Sequence, residues 1–270
     1  MQGDDRAFWD SLAPSYGKRR KPVGKCDRLK AVTEFLAAAG ALRAEDSVLD
    51  IGCGPGVYAL LFAPRVREVV ALDSAPKMCS VLQEELSARD IRNVAVVNRA
   101  WEEVDLEAEG WKERFDLVFA SLTPAIKDPE TLTKMAVASR RYCCLVDFAR
   151  GYRNPVLAEL WPAVLGEPYP GGWFEISYPW NYLYASGYLP EIRFIADFWE
   201  EKMPLEEAVA RHCRSLGRFM AVTPELEEKV RRYLLARSTD GVFCFRHRGH
   251  LAVLFWRVHD DEEEDGRPGI

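Results

Sequence analysis

The 270-residue chain is poor in histidine, with four in all, and none of its seven cysteines forms a C-x-x-C pair. That rules out the common zinc and dithiol spacings, and no metal is expected. Cys26, Cys53, Cys79, Cys143, Cys144, Cys213 and Cys244 read as reduced, mostly buried thiols of a cytoplasmic protein. No apolar run reaches about 18 residues, so no transmembrane helix and no membrane partner are expected. The opening MQGDDRAFWD lacks the basic-then-apolar order of a signal peptide. Positive charge is not in excess: 36 Lys and Arg stand against 42 Asp and Glu, a net charge of -6. A nucleic-acid partner, which needs a basic face, is therefore not expected. The composition, 48% apolar and 29% charged, is that of a globule of one large or two small domains.

What is present centres on Val48-Leu-Asp-Ile-Gly-Cys-Gly-Pro-Gly56. Apolar residues end in an Asp, and glycines follow at 52, 54 and 56. A buried strand running into glycines and then a helix is how parallel α/β proteins bring backbone close to a nucleotide. Glycine permits positive φ and leaves no Cβ in the ligand's way. A dinucleotide G-x-G-x-x-G would need glycine at 57, where this chain has Val57. The plain alternative is a glycine-rich turn without a ligand. Cys53 reads as a small side chain packed inside this turn rather than as a nucleophile.

The surrounding pattern predicts alternating strands and helices. A helix over 5–16 carries Phe8, Trp9, Leu12 and Tyr16 on one stripe, interrupted by Pro14. Lys18-Arg-Arg-Lys21 is either a solvated basic turn or the hinge of a lid that meets an acidic substrate. A helix over 25–39 ends at Gly40. Strands are predicted at 47–51, 68–73, 94–97, 115–120 and 142–148. Helices are predicted to start at 57–62, to run over 75–89 with Ser74 as N-cap, and to run over 129–139. Near-continuous apolar strands between helices imply a parallel sheet covered on both faces. Residues 152–188 are crowded with aromatics and broken by EPYPGGW. A sixth strand over 192–200, helices over 204–216 and 224–236, and a hairpin of 241–245 with 251–258 around His247-Arg-Gly-His250 complete the pattern. Thr223 before Pro224 is a good N-cap and N1 pair.

Asp73 ends the second strand, seventeen residues after Gly56. A carboxylate there can accept hydrogen bonds from both ribose hydroxyls of a nucleoside, as in dinucleotide folds, or simply cap a helix. VLDIGCGPG at 48–56, VVALDSAPKM at 69–78, VVNRAW at 96–101 and FDLVFASLTPA at 115–125, taken in order, resemble the class I S-adenosylmethionine (SAM) methyltransferases. The resemblance implies an α/β, Rossmann-like, mostly parallel seven-stranded sheet with helices on both faces. To this the chain adds an N-terminal helical cap and an aromatic-rich insertion after the fifth strand. The implied organisation is one domain over 1–258: cap 1–44, SAM-binding core 45–149, insertion or lid 150–190, and C-terminal strands and helices 191–258. An acidic, disordered tail follows over 259–270.

SAM is the implied cofactor. Carried over by position, Asp50 would anchor its methionine end through the glycine loop, with Gly52, Cys53, Gly54 and Gly56 forming that loop. Asp73 would hold the ribose, and Ser74 and Met78 would border the adenine. Family members often carry an Asp shortly after the third strand; here Arg99 stands closest to that position. Asn98, the backbone N–H groups of Ala100 and Trp101, and the Trp101 ring are the alternatives for adenine. Ser121-Leu-Thr-Pro124, the loop that faces the transferred methyl in this family, is not the D/N-P-P-Y motif of some amino-group methylators. It keeps a proline and two hydroxyls, Ser121 and Thr123.

Transfer from a sulfonium is an in-line displacement served by positioning and desolvation. A general base is optional for a deprotonated amine or thiol and more useful for a hydroxyl. Tyr16, Thr123 and His212 are the candidates for chemistry, and Tyr16, Thr123, Trp173, Tyr178 and Tyr182 for substrate contact. Arg150, Arg153, Arg214 and Arg218 are candidates for an anion clamp or plain surface charges. The implied function is methyl transfer to a small organic acceptor. An RNA or protein methyltransferase and a SAM-binding protein without transferase activity remain as alternatives.

Overall fold

The computed structural model describes residues 5–18, 25–152, 155–170 and 173–259. Arg19–Lys21, Arg153 and the acidic tail Asp260–Asp265 lie outside them. The chain opens with α1 (Asp5–Lys18) and α2 (Lys25–Ala38). The core follows: β1 (Ser47–Ile51), α3 (Ala59–Phe62), β2 (Glu68–Asp73), α4 (Pro76–Ala88), β3 (Val94–Asn98), a 3-10 turn at Trp101–Glu103, β4 (Phe115–Ser121), α5 (Pro129–Ala138) and β5 (Ser139–Phe148). Then come β6 (Arg150–Tyr152), α6 (Pro155–Leu165), β7 (Trp173–Glu175), α7 (Ser177–Ala185), β8 (Glu191–Pro204), α8 (Leu205–Leu216), α9 (Pro224–Leu235), β9 (Ser238–Thr239) and β10 (Val242–Arg257).

The main sheet runs in the order β3-β2-β1-β4-β5-β10-β8, with the two-residue β9 paired to β10 beside that path. It is the expected Rossmann-like, mostly parallel sheet. β6 and β7 form a separate antiparallel pair. Strands β1 to β5 are parallel, and the order reverses at β1, which pairs β2 on one side and β4 on the other. Register aligns Ile51 with Leu72 and Ala120, Asp73 with Asn98, and Ser121 with Val146. The loops that follow β1, β2, β3 and β4 therefore leave from one edge. In open α/β sheets that edge, beside the reversal, is where ligands bind.

Two compact units make up the chain. Residues Lys30–Asp147, Ile176–Phe194 and Ala252–Ile270 form the first, around the sheet core. Every residue of β1 is buried, as a strand covered on both faces requires. Phe119 of β4 packs at 4.7 Å from Tyr58 and 5.1 Å from Phe62, which seats the short α3 on the sheet. At the strands' starting edge, Asp116 accepts the Ser47 N–H at 2.8 Å and a two-pronged contact from Arg140. Burial alone would raise the Asp116 carboxyl; Arg140 and Ser47 outweigh it and hold it below its ordinary value.

The second unit comprises Met1–Leu29, Phe148–Glu175 and Ile195–Leu251. Its core gathers Val156, Leu160 and Trp161 of α6, Val209 and Leu216 of α8, Leu226, Val230 and Leu234 of α9, and Phe243 of β10. Each such side chain contributes about 1.5–3 kcal/mol on burial. Arg28 donates to both oxygens of Asp197 at 3.1 Å, which pairs a carboxylate with no exposed side-chain surface.

Several elements differ from the sequence reading. α1 continues through Pro14, because a proline removes one N–H without forcing a helix to end. The expected hairpin around His247–His250 is one continuous strand, β10. The chain reverses instead at Asp240-Gly241, both at positive φ (51° and 73°), joining β9 to β10. That pair is the Asp-Gly signature of a two-residue hairpin. Ser74 is not the N-cap of α4; Ala75 takes that position, and the Asp73 side chain receives the Ala75 N–H at 2.8 Å. Thr223 caps α9 as expected, accepting the Leu226 N–H.

Candidate functional site

The glycine turn after β1 is built by contacts that use each glycine differently. Gly52, Gly54 and Gly56 all have positive φ, at 64°, 55° and 81°. A Cβ on Gly52 would overlap the Thr123 side chain, and one on Gly56 would overlap Leu82 of α4. A Cβ on Gly54 would meet nothing within 4 Å. Two glycines thus make room for the protein itself, and the middle one borders open space.

Two carboxylates hold this turn. Asp73 Oδ2 accepts the Gly54 N–H at 2.8 Å while Oδ1 accepts that of Ala75. Asp50 is buried and accepts the Ala59 N–H at the start of α3, and its Oδ2 has no partner. Burial, aided by the neighbouring Asp73 charge, pushes the Asp50 carboxyl up to about 7. Cys53 donates its N–H to Leu72 O at 3.0 Å, and its side chain is buried. Burial raises its thiol well above the ordinary range, so it is no nucleophile at neutral pH.

The edge beyond β3 is organised around the Asp73 carbonyl. It accepts the Arg99 N–H at 3.0 Å and the Asn98 Nδ2 at 2.9 Å. The Arg99 side chain pairs with Glu109. Met78 is buried in α4, and Ser74 is half-buried. The Trp101 ring is 1% exposed, donates its N–H to Thr131 O at 3.0 Å, and carries the Lys134 ammonium over its face. A ring so committed does not pack on a nucleobase, which corrects the expectation for that side chain. Ala100 is buried just before it.

The loop after β4 holds a feature that spacing did not reveal. Leu122 adopts φ +50, and its N–H donates to Val146 O at 2.8 Å. The other non-glycine residues at positive φ among those described are Asp90, Glu113 and Asp240. For a bulky apolar residue this backbone costs about 1–2 kcal/mol, the kind of strain that collects at functional sites. Thr123 behind it is buried and accepts the Ala125 N–H at 3.2 Å. Ser121 is half-buried at the strand end.

Asp50, Gly52, Cys53, Gly54, Gly56, Asp73, Ser74, Met78, Asn98, Ala100, Trp101, Ser121 and Thr123 thus fall within one unit, at or beside one edge of its sheet. Of the other candidates, Tyr178 and Tyr182 belong to the same unit. Tyr182 pairs its hydroxyl with Thr133 Oγ1 at 2.9 Å, and Tyr178 is 70% exposed on α7. Tyr16 and Trp173 lie in α1 and β7, and their side chains are outside the described residues, as is that of Arg150. Arg218 stacks over Phe8, and Arg214 is exposed. His212 belongs to the other unit. It is buried, with neither ring nitrogen hydrogen-bonded, at 5.9 Å from the Phe243 ring. Burial, then the Arg211 charge, pushes its pKa down to about 4.

The comparisons agree with this geometry. The methyltransferase domain family matches residues 48–141, from the glycine turn into β5. An uncharacterized protein of Haemophilus influenzae is 26% identical over 135 residues, 49% of this chain and 46% of its own length. "Probable protein arginine N-methyltransferase 3" of Oryza sativa subsp. indica is 27% identical over 129 residues, 42% of this chain and 21% of that protein. The chain thus spans less than half the length of these curated relatives. Among solved structures, magnesium protoporphyrin IX methyltransferase of Synechocystis PCC 6803, with bound S-adenosylhomocysteine (SAH), superposes at TM-score 0.58, with 14% identity, 94% of this chain and 97% of that one. A SAM-dependent methyltransferase of Aquifex aeolicus superposes at 0.52, with 12% identity, 93% of this chain and 98% of that one. These likenesses carry the fold. No helix among the described residues is long and apolar enough to cross a membrane. Residues 48–141 therefore match a methyltransferase domain, and the solved methyltransferases share the chain's Rossmann-like fold.

Proposed function

We propose that the chain transfers a methyl group from SAM to a small organic acceptor. The observation that carries the cofactor reading is the Gly54 cradle, open on its ligand side and held from behind by Asp73. The partnerless buried oxygen of Asp50 beside it suits a cationic ligand end. When bound, SAM supplies an activated methyl on a sulfonium. The chain's own residues then have to bind and orient. Asp73, which braces the turn from the end of β2, is assigned the ribose hydroxyls. Gly52–Gly56 present backbone to the methionine end. Met78 and Ser74 border the base, with Asn98 and the Ala100 and Trp101 backbone at its edge. Ser121 and Thr123 stand where an acceptor would be held.

The net charge of -6 supports a small acceptor over a nucleic acid. An amine or thiol acceptor needs no base from the protein, which fits a site where no titratable side chain follows β4 before Lys127. The exposed rings of Tyr178 and Tyr184 on α7 are offered as apolar contacts for it. A second reading, a protein acceptor, draws on the match to the arginine methyltransferase-named protein of rice.

Calorimetric titration with SAM and SAH tests the cofactor. SAH release measured over a panel of small amines, thiols and phenols, beside histone-like peptides and RNA, tests the acceptor. Binding of both cofactors with turnover on small molecules is expected. Turnover only on peptides moves the assignment to the second reading. Binding without turnover on any acceptor leaves a SAM-binding protein. No binding to folded protein overturns the cofactor assignment.

A further inference from the structure

Three features meet at Ser121–Ala125. Leu122 reverses the backbone at φ +50, pinned to β5 through Val146 O. Thr123 is delivered by that reversal into a buried place, and the Ala125 N–H engages its hydroxyl at 3.2 Å. The side chain then occupies the volume that Gly52 leaves empty. A Cβ on Gly52 would overlap Thr123 Oγ1, and would lie 2.6 Å from its Cβ and 3.2 Å from its Cγ2. Gly52 is therefore a socket, and Thr123 is what fills it. Gly56 makes a second socket for Leu82, while Gly54 faces outward.

We propose that Thr123 is a positioning residue that seats the loop after β4 on the glycine turn. It thereby fixes the distance between a methyl donor held by the turn and an acceptor held by the loop. The inference rests on the methyltransferase reading and assigns Thr123 a spacer's role rather than a base's. In-line displacement makes the role matter, since a misplacement of about 1 Å can cost on the order of 100-fold in rate. The strained Leu122 backbone fits the same role, because relaxing it would swing Thr123 out of its socket.

The test is amide hydrogen exchange, read by mass spectrometry, with and without SAH. It compares the wild-type chain, Thr123→Gly, which empties the socket, and Thr123→Val, which keeps its shape. In the wild type, SAH is expected to slow exchange in 52–56 and also in 122–125, by roughly fivefold or more in each. Thr123→Val should behave alike. In Thr123→Gly the turn should still respond, and 122–125 should change by less than about twofold. Should Thr123→Gly fail to fold, Thr123→Ala, which removes two of the three socket atoms, is read the same way. SAH protection of 122–125 that persists in the emptied variant overturns the proposal. So does protection confined to the turn in the wild type. A wild-type chain that binds no SAH at all overturns the cofactor reading itself, and is told apart by the missing response at 52–56.

Discussion

Asp73 accepts the N–H of Gly54 on one carboxylate oxygen and that of Ala75 on the other, both at 2.8 Å. One side chain at the end of β2 thus sets the glycine turn and the start of α4 together. Replacing Asp73 by Ala removes both acceptors and the negative charge. SAM affinity, measured by calorimetry, should fall by more than about tenfold, since hydrogen bonds to a charged group contribute roughly 1.5–3 kcal/mol each. Asp73→Asn keeps one acceptor and should fall in between. Unchanged affinity in the alanine variant would remove Asp73 from the ribose site.

The three glycines of the turn should fail in different ways when changed to alanine. Gly56→Ala drives a methyl into Leu82 and strains the backbone, so it should lower stability by about 2–4 kcal/mol in urea unfolding. Leu82→Ala in the same chain should relieve the clash and return part of that loss. Gly54→Ala meets no protein atom within 4 Å and should cost only its backbone strain, about 1 kcal/mol. Its SAH affinity should nevertheless drop by about tenfold or more if the proposed cradle is right, because the methyl would enter the space assigned to the ligand. A Gly54→Ala variant that binds SAH as the wild type does would show that this face of the turn is not the cradle.

Two buried groups give opposed pH dependences of stability. His212 has a folded pKa of about 4, below its ordinary 6.5, so the unfolded chain binds the extra proton. Its contribution is fully present above pH about 6.5 and is lost as pH falls toward 4. Asp50 is raised from 3.8 to about 7, so here the folded chain binds the extra proton. Its contribution is fully present below pH about 3.8 and is lost as pH rises through 7. Each window is worth on the order of 3 kcal/mol, and the two slopes largely cancel in the wild type. Urea unfolding from pH 4 to 7 should show stability rising with pH in Asp50→Asn, and falling with pH in His212→Phe. Parallel curves for the two variants would contradict the assignment.

Much of the first unit was legible because its signals are local. β1 and β2 run over the residues that apolar runs ending in Asp50-Ile51 and Asp73 mark out. Thr223-Pro224 announced a helix start that needs only neighbouring residues. Asp240-Gly241 was equally local, and was obscured by the more conspicuous polar stretch around Gly249, which the sheet absorbs into β10. What remained hidden depends on residues far apart in sequence. Nothing about Thr123 announces that it fills the space beside Gly52, or that Leu82 fills that beside Gly56. Ser74 looked like a cap because serine often is one; the helix instead begins one residue later, after Ala75, whose N–H goes to Asp73. Trp101 looked like a base-stacking ring, but Thr131 and Lys134 draw it into the core.

The burial of Cys53 inside the glycine turn has a use beyond packing. A thiol held neutral and covered is slow toward alkylating reagents until its surroundings open. Cys213 and Cys244, which are partly accessible, would be labelled ahead of it. The rate at which Cys53 is labelled therefore clocks the breathing of the turn. A ligand seated there should slow that clock, so the chain carries its own chemical reporter of cofactor occupancy.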